Sequence, residues 1–156
     1  MATVQTGRSR GSGVGHESID GTLSGPVLQF DLASEVDQLH RDQSWLQTTG
    51  RSSKTLVKYP DLRIVLIAMK ANTRMHEHTA ASRISVHSLN GHIRLHLPDR
   101  VVDLPAGHLL VLDQCVPHDV EAAEDSLFLL TLSWPPGAEV EECKSHPKRK
   151  VRHDKK

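Results

Sequence analysis

The sequence predicts a small all-β domain, an antiparallel sandwich or barrel preceded by one short helix. Seven short runs rich in β-branched and aliphatic residues fall within about 80 residues. These runs are 54–59, 63–69, 83–89, 92–97, 101–104, 109–112 and 126–134. Many closely spaced short strands are typical of antiparallel sandwiches and barrels. A chain of 156 residues is enough for one such domain.

The breaks between the runs carry residues that favour turns, mainly proline, glycine, aspartate and asparagine. Asn90 and Gly91 are the strongest of these signals, because this dipeptide is favoured in the two-residue turn of a β-hairpin. The sequence therefore predicts a hairpin between the runs 83–89 and 92–97.

One helix is expected before the strands. Asp31 can cap its N-terminus, and Leu32, Val36 and Leu39 recur at helical spacing behind it. Glu35 stands early, where the helix dipole favours an acid. We expect this helix to pack outside the main sheet.

Both ends of the chain have compositions that do not support a packed core. Residues 1–25 hold six of the ten glycines, and residues 144–156 hold seven Lys or Arg against one acid. We therefore expect a disordered segment over 1–25, a barrel domain with its helix over 26–138, and a disordered basic tail over 139–156. The tail lacks interleaved aromatic residues, which argues against a nucleic-acid partner.

Overall charge and hydropathy argue against a membrane or a polyanionic partner. Nineteen Lys and Arg balance nineteen Asp and Glu. The longest apolar run, 64–69, is six residues, far short of the roughly 20 that span a bilayer, and no apolar signal segment is evident. These features predict a cytoplasmic protein.

Cys115 and Cys143 lack the spacing of a disulfide framework or a zinc site, so we interpret both as thiols.

Eleven histidines accompany only five aromatic residues, so metal binding must be considered. His76 and His78 flank Glu77, and on an extended chain residues two apart project to the same face. A lone pair of this kind arises easily by chance, and a site needs a third donor. The histidines of the run 92–97 alternate with Ile93 and Leu95, which predicts that they face solvent.

A second motif supplies that donor and resembles the cupin family, whose small antiparallel barrels carry two such motifs. In that family the second motif has a fixed order: glycine, five residues, Pro-x-Gly, two residues, His, three residues and Asn. Here Gly107, Cys115, His118 and Ala122 keep the spacing but not every identity. Fifteen residues separate Gly91 from Gly107, as in compact cupins of the cupin-2 type. The resemblance covers about residues 63–134 and implies a cupin-type double-stranded β-helix, or jelly roll.

The resemblance also implies a metal site on His76, His78 and His118. Arg83 or Ile84 stands where the family has a glutamate ligand, so the set is reduced to three histidines. Three imidazoles can hold a divalent transition metal such as zinc, iron, manganese or nickel and leave positions open. The metal could also be absent.

Arg83 and His87 are the candidate ligand-binding residues, because they share one face of a predicted strand and an arginine beside the site favours an anionic small molecule. His87 could equally be a core histidine. Cys115 could act as a nucleophile beside His118, but a small side chain in a turn is the simpler interpretation.

Two functions remain open at this point. One is a metal-dependent protein acting on or binding a small anionic molecule, as an oxygenase-like or isomerase-like enzyme. The other is a non-catalytic, metal-free barrel that binds or senses a small molecule. An exposed sheet edge in so small a barrel also favours a homodimer.

Overall fold

The computed structural model describes residues 23–42, 49–135 and 143. They form one helix, α1 (Leu32–Arg41), and nine strands. The strands are β1 (Arg51–Lys58), β2 (Leu62–Met69), β3 (Arg74–His78), β4 (Arg83–Asn90), β5 (His92–His96), β6 (Val101–Pro105), β7 (Leu109–Leu112), β8 (His118–Ala122) and β9 (Ser126–Ser133). No helix in these residues is long and apolar enough to cross a membrane.

The strands form two antiparallel sheets. One has the order β1-β2-β9-β4-β7 and the other the order β3-β8-β5-β6. The predicted antiparallel all-β fold is confirmed, although within the described residues the two sheets do not join into one closed ladder of paired strands.

The main core lies between the two sheets. Ile84, Val86, Ile93 and Leu95 are buried there with Phe128. Their neighbours in sequence point outward, because successive side chains of a strand alternate between faces. The interior between the two sheets is therefore mainly apolar.

The helix begins at the residue that the sequence predicts. Asp31 is its N-cap, and the Asp31 carboxylate accepts a hydrogen bond from the Ala33 amide at 3.1 Å. Leu39 packs with Leu56 and Leu66 on the outer face of the five-stranded sheet, in a second apolar cluster. The expectation that the helix packs outside the main sheet is confirmed.

The predicted hairpin at Asn90 and Gly91 is wrong. Gly91 does form a tight turn with a positive φ of 77°. However, the turn carries the chain from β4 in one sheet to β5 in the other, so the flanking strands do not pair. A tight turn does not require its flanking strands to pair, because they can separate into facing sheets.

The structure adds β3 and β8 to the seven predicted strands. The expected disordered segments, 1–25 and 139–156, lie mostly outside the described residues. Within them, the Leu23 carbonyl accepts a hydrogen bond from the Lys58 amide at 2.8 Å, and the Gly25 amide donates to the Tyr59 hydroxyl at 3.0 Å. Cys143 is also described.

Candidate functional site

The two added strands, β3 and β8, bring two of the three candidate histidines together. They pair antiparallel, with His78 directly opposite His118. The two imidazole rings are tilted by 58° and their centroids lie 4.4 Å apart. His118 is 4% exposed, whereas His78 is exposed. The pair therefore reaches from the interior of the fold to solvent.

A β-bulge in β3 produces this pairing. Met75 is opposite Val120 and His78 is opposite His118, so three steps along β3 match two steps along β8. The extra residue lies between Met75 and His78 and interrupts the alternation of faces. The rule that places residues two apart on one face therefore does not apply to His76 and His78, and His76 is an exposed residue within the irregular stretch.

Both paired histidines are oriented by their own backbone. The Nδ1 atom of His78 lies 2.9 Å from the His76 carbonyl oxygen, and that of His118 lies 2.9 Å from the Val116 carbonyl oxygen. A carbonyl can only accept, so Nδ1 carries the proton in each ring. When either ring is unprotonated, its lone pair is then on Nε2, the form in which histidine binds a metal.

Burial favours the neutral form of His118. Burial lowers the pKa of His118 below its ordinary value of 6.5, opposed by the Val116 hydrogen bond. The nearby His78 lowers this pKa further, whereas Asp119 raises it. Since metals bind the unprotonated ring, a lowered pKa keeps His118 available as a ligand at neutral pH.

Asp119 follows His118 and points to the other face of β8. Its carboxylate is mostly buried and accepts a hydrogen bond from Arg74 at 2.6 Å, while its second oxygen is buried and has no hydrogen-bond partner among the described residues. On the same face, His96 bonds Glu121 at 2.8 Å and His92 bonds Asp103 at 2.9 Å. The histidines of β5 are thus part of an outward-facing ionic network, as their alternation predicts.

Two loops meet beside the histidine pair. Residues 79–82 follow His78 and residues 113–117 precede His118. The Cys115 amide donates to the Ala80 carbonyl at 2.8 Å, and the Gln114 side chain donates to the Ala81 carbonyl at 3.2 Å. A movement of either loop would therefore be transmitted to the other.

The interpretation of both cysteines as thiols is wrong. Cys115 and Cys143 form a disulfide, with Cα atoms 5.3 Å apart. The two residues are 28 positions apart, and only the fold brings them within bonding range. The disulfide attaches Cys143 to the loop that precedes His118.

The structure does not bring Arg83 and His87 to the histidine pair. Both are exposed on the face of β4 opposite to the buried Ile84 and Val86. They do share a face, as predicted, but it is the outer one. Arg83 bonds the Asp113 carboxylate at 2.9 Å and so holds the start of the loop before His118.

Ser82 is a polar residue of this region that the sequence does not single out. It is 1% exposed, and its hydroxyl has no hydrogen-bond partner in the described part of the chain. It is the last residue of the loop 79–82 and lies two positions before Ile84, a buried residue of β4. Its signal in the sequence is only its two-residue spacing from Ile84.

A group of three metal-binding side chains is not assembled. Within residues 23–42, 49–135 and 143, no cluster of three or more His, Cys, Asp or Glu side chains is positioned to hold a metal ion. The structure brings His78 and His118 together, and His76 remains on the exposed stretch of β3 before them.

Known structures share this fold at low sequence identity. A cupin-2 domain-containing protein from Shewanella frigidimarina is 16% identical with a TM-score of 0.55, and the match covers 67% of this chain and 94% of that one. A cupin superfamily protein from Desulfitobacterium hafniense is 15% identical with a TM-score of 0.54, over 57% and 82% of the two chains.

A larger protein also contains the fold. Salicylate 1,2-dioxygenase from Pseudoaminobacter salicylatoxidans is 13% identical with a TM-score of 0.64, and the match covers 72% of this chain but only 34% of that one. No protein-family model matches the sequence, and no curated protein does.

These likenesses define the class of the protein as one with a cupin fold. The resemblance drawn from the two histidine motifs is thereby confirmed at the level of the fold. In particular, the fold is that of a small protein such as the cupin-2 domain-containing protein from Shewanella frigidimarina, 94% of which the match covers. At these identities the likeness extends to the fold and not to an activity.

Proposed function

We propose that this cupin-fold protein binds one divalent transition metal through His76, His78 and His118, and binds or acts on a small anionic molecule there. The observation that carries the proposal is the oriented pair formed by His78 and His118. Each ring directs Nδ1 at a backbone carbonyl oxygen, which leaves Nε2 as the nitrogen that can bind a metal. Backbone orientation of this kind is the usual outer support of a metal-binding histidine.

His76 is the proposed third ligand. The His76 carbonyl already accepts a hydrogen bond from Nδ1 of the His78 ring, so the backbone of His76 is held next to the site. Its side chain is exposed and free of buried packing, so it can turn toward an ion with little loss of core contacts. Metal binding often completes a ligand set in this way, since sites are rarely fully formed without the ion.

The anionic ligand follows from the charge of the donors. Three neutral imidazoles do not compensate a divalent cation, and the carboxylate next to His118, that of Asp119, points to the other face of β8 and is bonded to Arg74. A bound metal would therefore attract an anionic oxygen donor and polarise it as a Lewis acid. Arg83 and His87 face away from this position, and we do not include them in the proposed site.

A metal-free binding barrel is the second candidate function. It is favoured by the absence of an assembled three-ligand cluster among the described residues. The buried hydroxyl of Ser82 and the ring of His118 would then be the polar groups available to a small molecule. The reaction, if there is one, is not assigned by the fold.

Cobalt titration of protein purified without an affinity tag separates the two. We expect one Co²⁺ per chain with the absorption of imidazole ligation, and loss of stoichiometric binding in His78→Ala. His78 is exposed, so circular dichroism should show this variant folded. The matched control is His87→Ala, which removes an exposed outward histidine and should bind as the wild type does.

Two results would reject the metal site. Full occupancy in His78→Ala would show that the ion is held elsewhere. A wild-type protein that stays metal-free in excess Co²⁺, Zn²⁺ and Fe²⁺ would favour the metal-free barrel.

We also propose that the protein is a homodimer formed through β7. This strand is at the edge of the five-stranded sheet, and Leu109 and Val111 are 63% and 62% exposed on it. An apolar edge strand with unpaired backbone groups is suited to pairing with a second copy across a two-fold axis.

A further inference from the structure

The disulfide between Cys115 and Cys143 is placed where its state can affect the histidine pair. These are the two cysteines of the chain, so the pair has no competing partner within it. Both residues are only partly buried, and a small thiol can therefore approach the sulfur atoms. None of the strands contains either cysteine, so the pairing of the sheets does not depend on the bond.

Cys115 lies in the segment that orients His118. The next residue, Val116, supplies the carbonyl that fixes the proton on the His118 ring. The Cys115 amide donates to Ala80, which follows His78 by two residues. The cross-link is therefore attached to a loop that contacts the segment after His78 and leads directly into His118.

The backbone at Cys115 also needs support. Its φ is +60°, a left-handed conformation that non-glycine residues adopt rarely. Such conformations persist when the surroundings hold them. Here the surroundings are the bond to Ala80, the Arg83–Asp113 ion pair at the start of the loop, and the disulfide itself.

We propose that Cys115–Cys143 is a reversible thiol–disulfide site whose state controls the position of the loop 113–117 and, through Val116, the orientation of His118. The oxidised form holds the loop and preorganises the ring, and the reduced form releases it. The effect on metal affinity rests on the proposed metal site; the effect on the loop does not.

The chemistry is thiol–disulfide exchange with a dithiol. A thiolate of the dithiol attacks one sulfur of the disulfide, the S–S bond breaks, and a mixed disulfide forms. The second thiol of the reductant then displaces the protein sulfur. Two electrons and two protons pass to Cys115 and Cys143 as thiols, and the reductant becomes a disulfide. A disulfide oxidant reverses the process. In a reducing compartment such as the predicted cytoplasm the dithiol form would be favoured.

Hydrogen exchange of the full chain tests the loop directly. We compare the oxidised protein with the protein reduced by dithiothreitol, following peptides over 113–118 and 79–82. Reduction should speed amide exchange in both by about tenfold or more, because the Cys115–Ala80 bond loses its support. Peptides of β2 should not change. Cys143→Ser should exchange like reduced wild type with or without the reductant.

Metal affinity is measured on a thiol-free variant, so that a free thiol does not ligate the ion. Relative to oxidised wild type, the double variant Cys115→Ser with Cys143→Ser should bind Zn²⁺ about tenfold more weakly, the usual effect of losing an outer support of a ligand.

The outcomes separate the two proposals. Unchanged exchange over 113–118, or a disulfide that resists dithiothreitol in the folded protein, would overturn the redox site whether or not metal binds. Equal Zn²⁺ affinity of the two proteins would overturn its control of His118. Absence of Zn²⁺ binding in both, with the exchange difference present, would reject the metal site and leave the redox-sensitive loop supported.

Discussion

Replacing Gly91 with alanine should destabilise the protein far more than the same change at Gly107. Both glycines have a positive φ, 77° and 82°, in which an alanine is strained. A Cβ at Gly91 would lie 2.3 Å from the Asp125 carbonyl oxygen and 2.7 Å from the Ser126 Cα, whereas a Cβ at Gly107 would meet no atom of the described residues within 4 Å. The two variants share the backbone effect and differ in the steric one.

The expected magnitudes follow from these contacts. At Gly107 the left-handed backbone costs alanine about 1–2 kcal/mol, and the stiffer unfolded chain offsets about 0.4–1 kcal/mol of it. At Gly91 two of the colliding atoms, the Asp125 carbonyl oxygen and the Ser126 Cα, belong to the backbone and cannot rotate away, so the turn must shift. That shift disturbs the Ala106 amide bond to the Gly91 carbonyl and the His92 amide bond to the Ser126 hydroxyl, both 3.0 Å, each contributing about 1 kcal/mol. We expect about 3–4 kcal/mol in total at Gly91 and about 1 kcal/mol at Gly107.

Urea unfolding followed by circular dichroism measures both variants. The difference of about 2–3 kcal/mol corresponds to a Tm gap of roughly 10–20 °C for a domain of this size. Free energies of unfolding that agree within about 1 kcal/mol would refute the steric reasoning, because strain from φ alone would then account for both.

Two further predictions concern the histidine site and the assembly. The folded-state pKa of His118 lies below its ordinary 6.5, so its contribution to stability is complete above about pH 6.5 and is lost as pH falls through the folded value. Urea unfolding from pH 7.5 to 5 should therefore show a steeper loss for wild type than for His118→Gln, and equal slopes would contradict the burial argument. For the dimer, Val111→Lys should convert a dimer of 17.3-kDa chains into monomers in light scattering. Val101→Lys on β6 is the matched control, being 52% exposed but outside that edge; a monomeric wild type, or a dimer that survives Val111→Lys, would exclude this interface.

The sequence predicts the strands that bury several apolar side chains. It does not predict a strand that buries few of them. β4 and β5 alternate apolar and polar residues, and both were expected near their observed positions. β3 contains one apolar residue, Met75, among charged residues and histidines, so it has no local strand signal. Strands of this kind form because a neighbouring strand satisfies their backbone, which is a tertiary effect.

The candidate site divides in the same way. Motif spacing in the sequence pointed to His78 and His118, and the structure places them opposite each other. The spacing of His76 from His78 carried no information about the bulge between Met75 and His78. The two-residue alternation along β4 correctly placed Arg83 and His87 on the same face, but it did not indicate which face of the strand is the inner one. That depends on which face the second sheet covers.

By itself the sequence determined the all-β class, the start of the helix at Asp31 and the two turn glycines, Gly91 and Gly107. Each of these depends on local conformational preference or on the alternation of a single strand. Only the tertiary structure decided that the Gly91 turn joins two sheets, that a bulge sets His78 against His118, and that Cys115 bonds Cys143. These features are contacts between segments far apart in the chain, and their geometry arises from packing that no local pattern encodes.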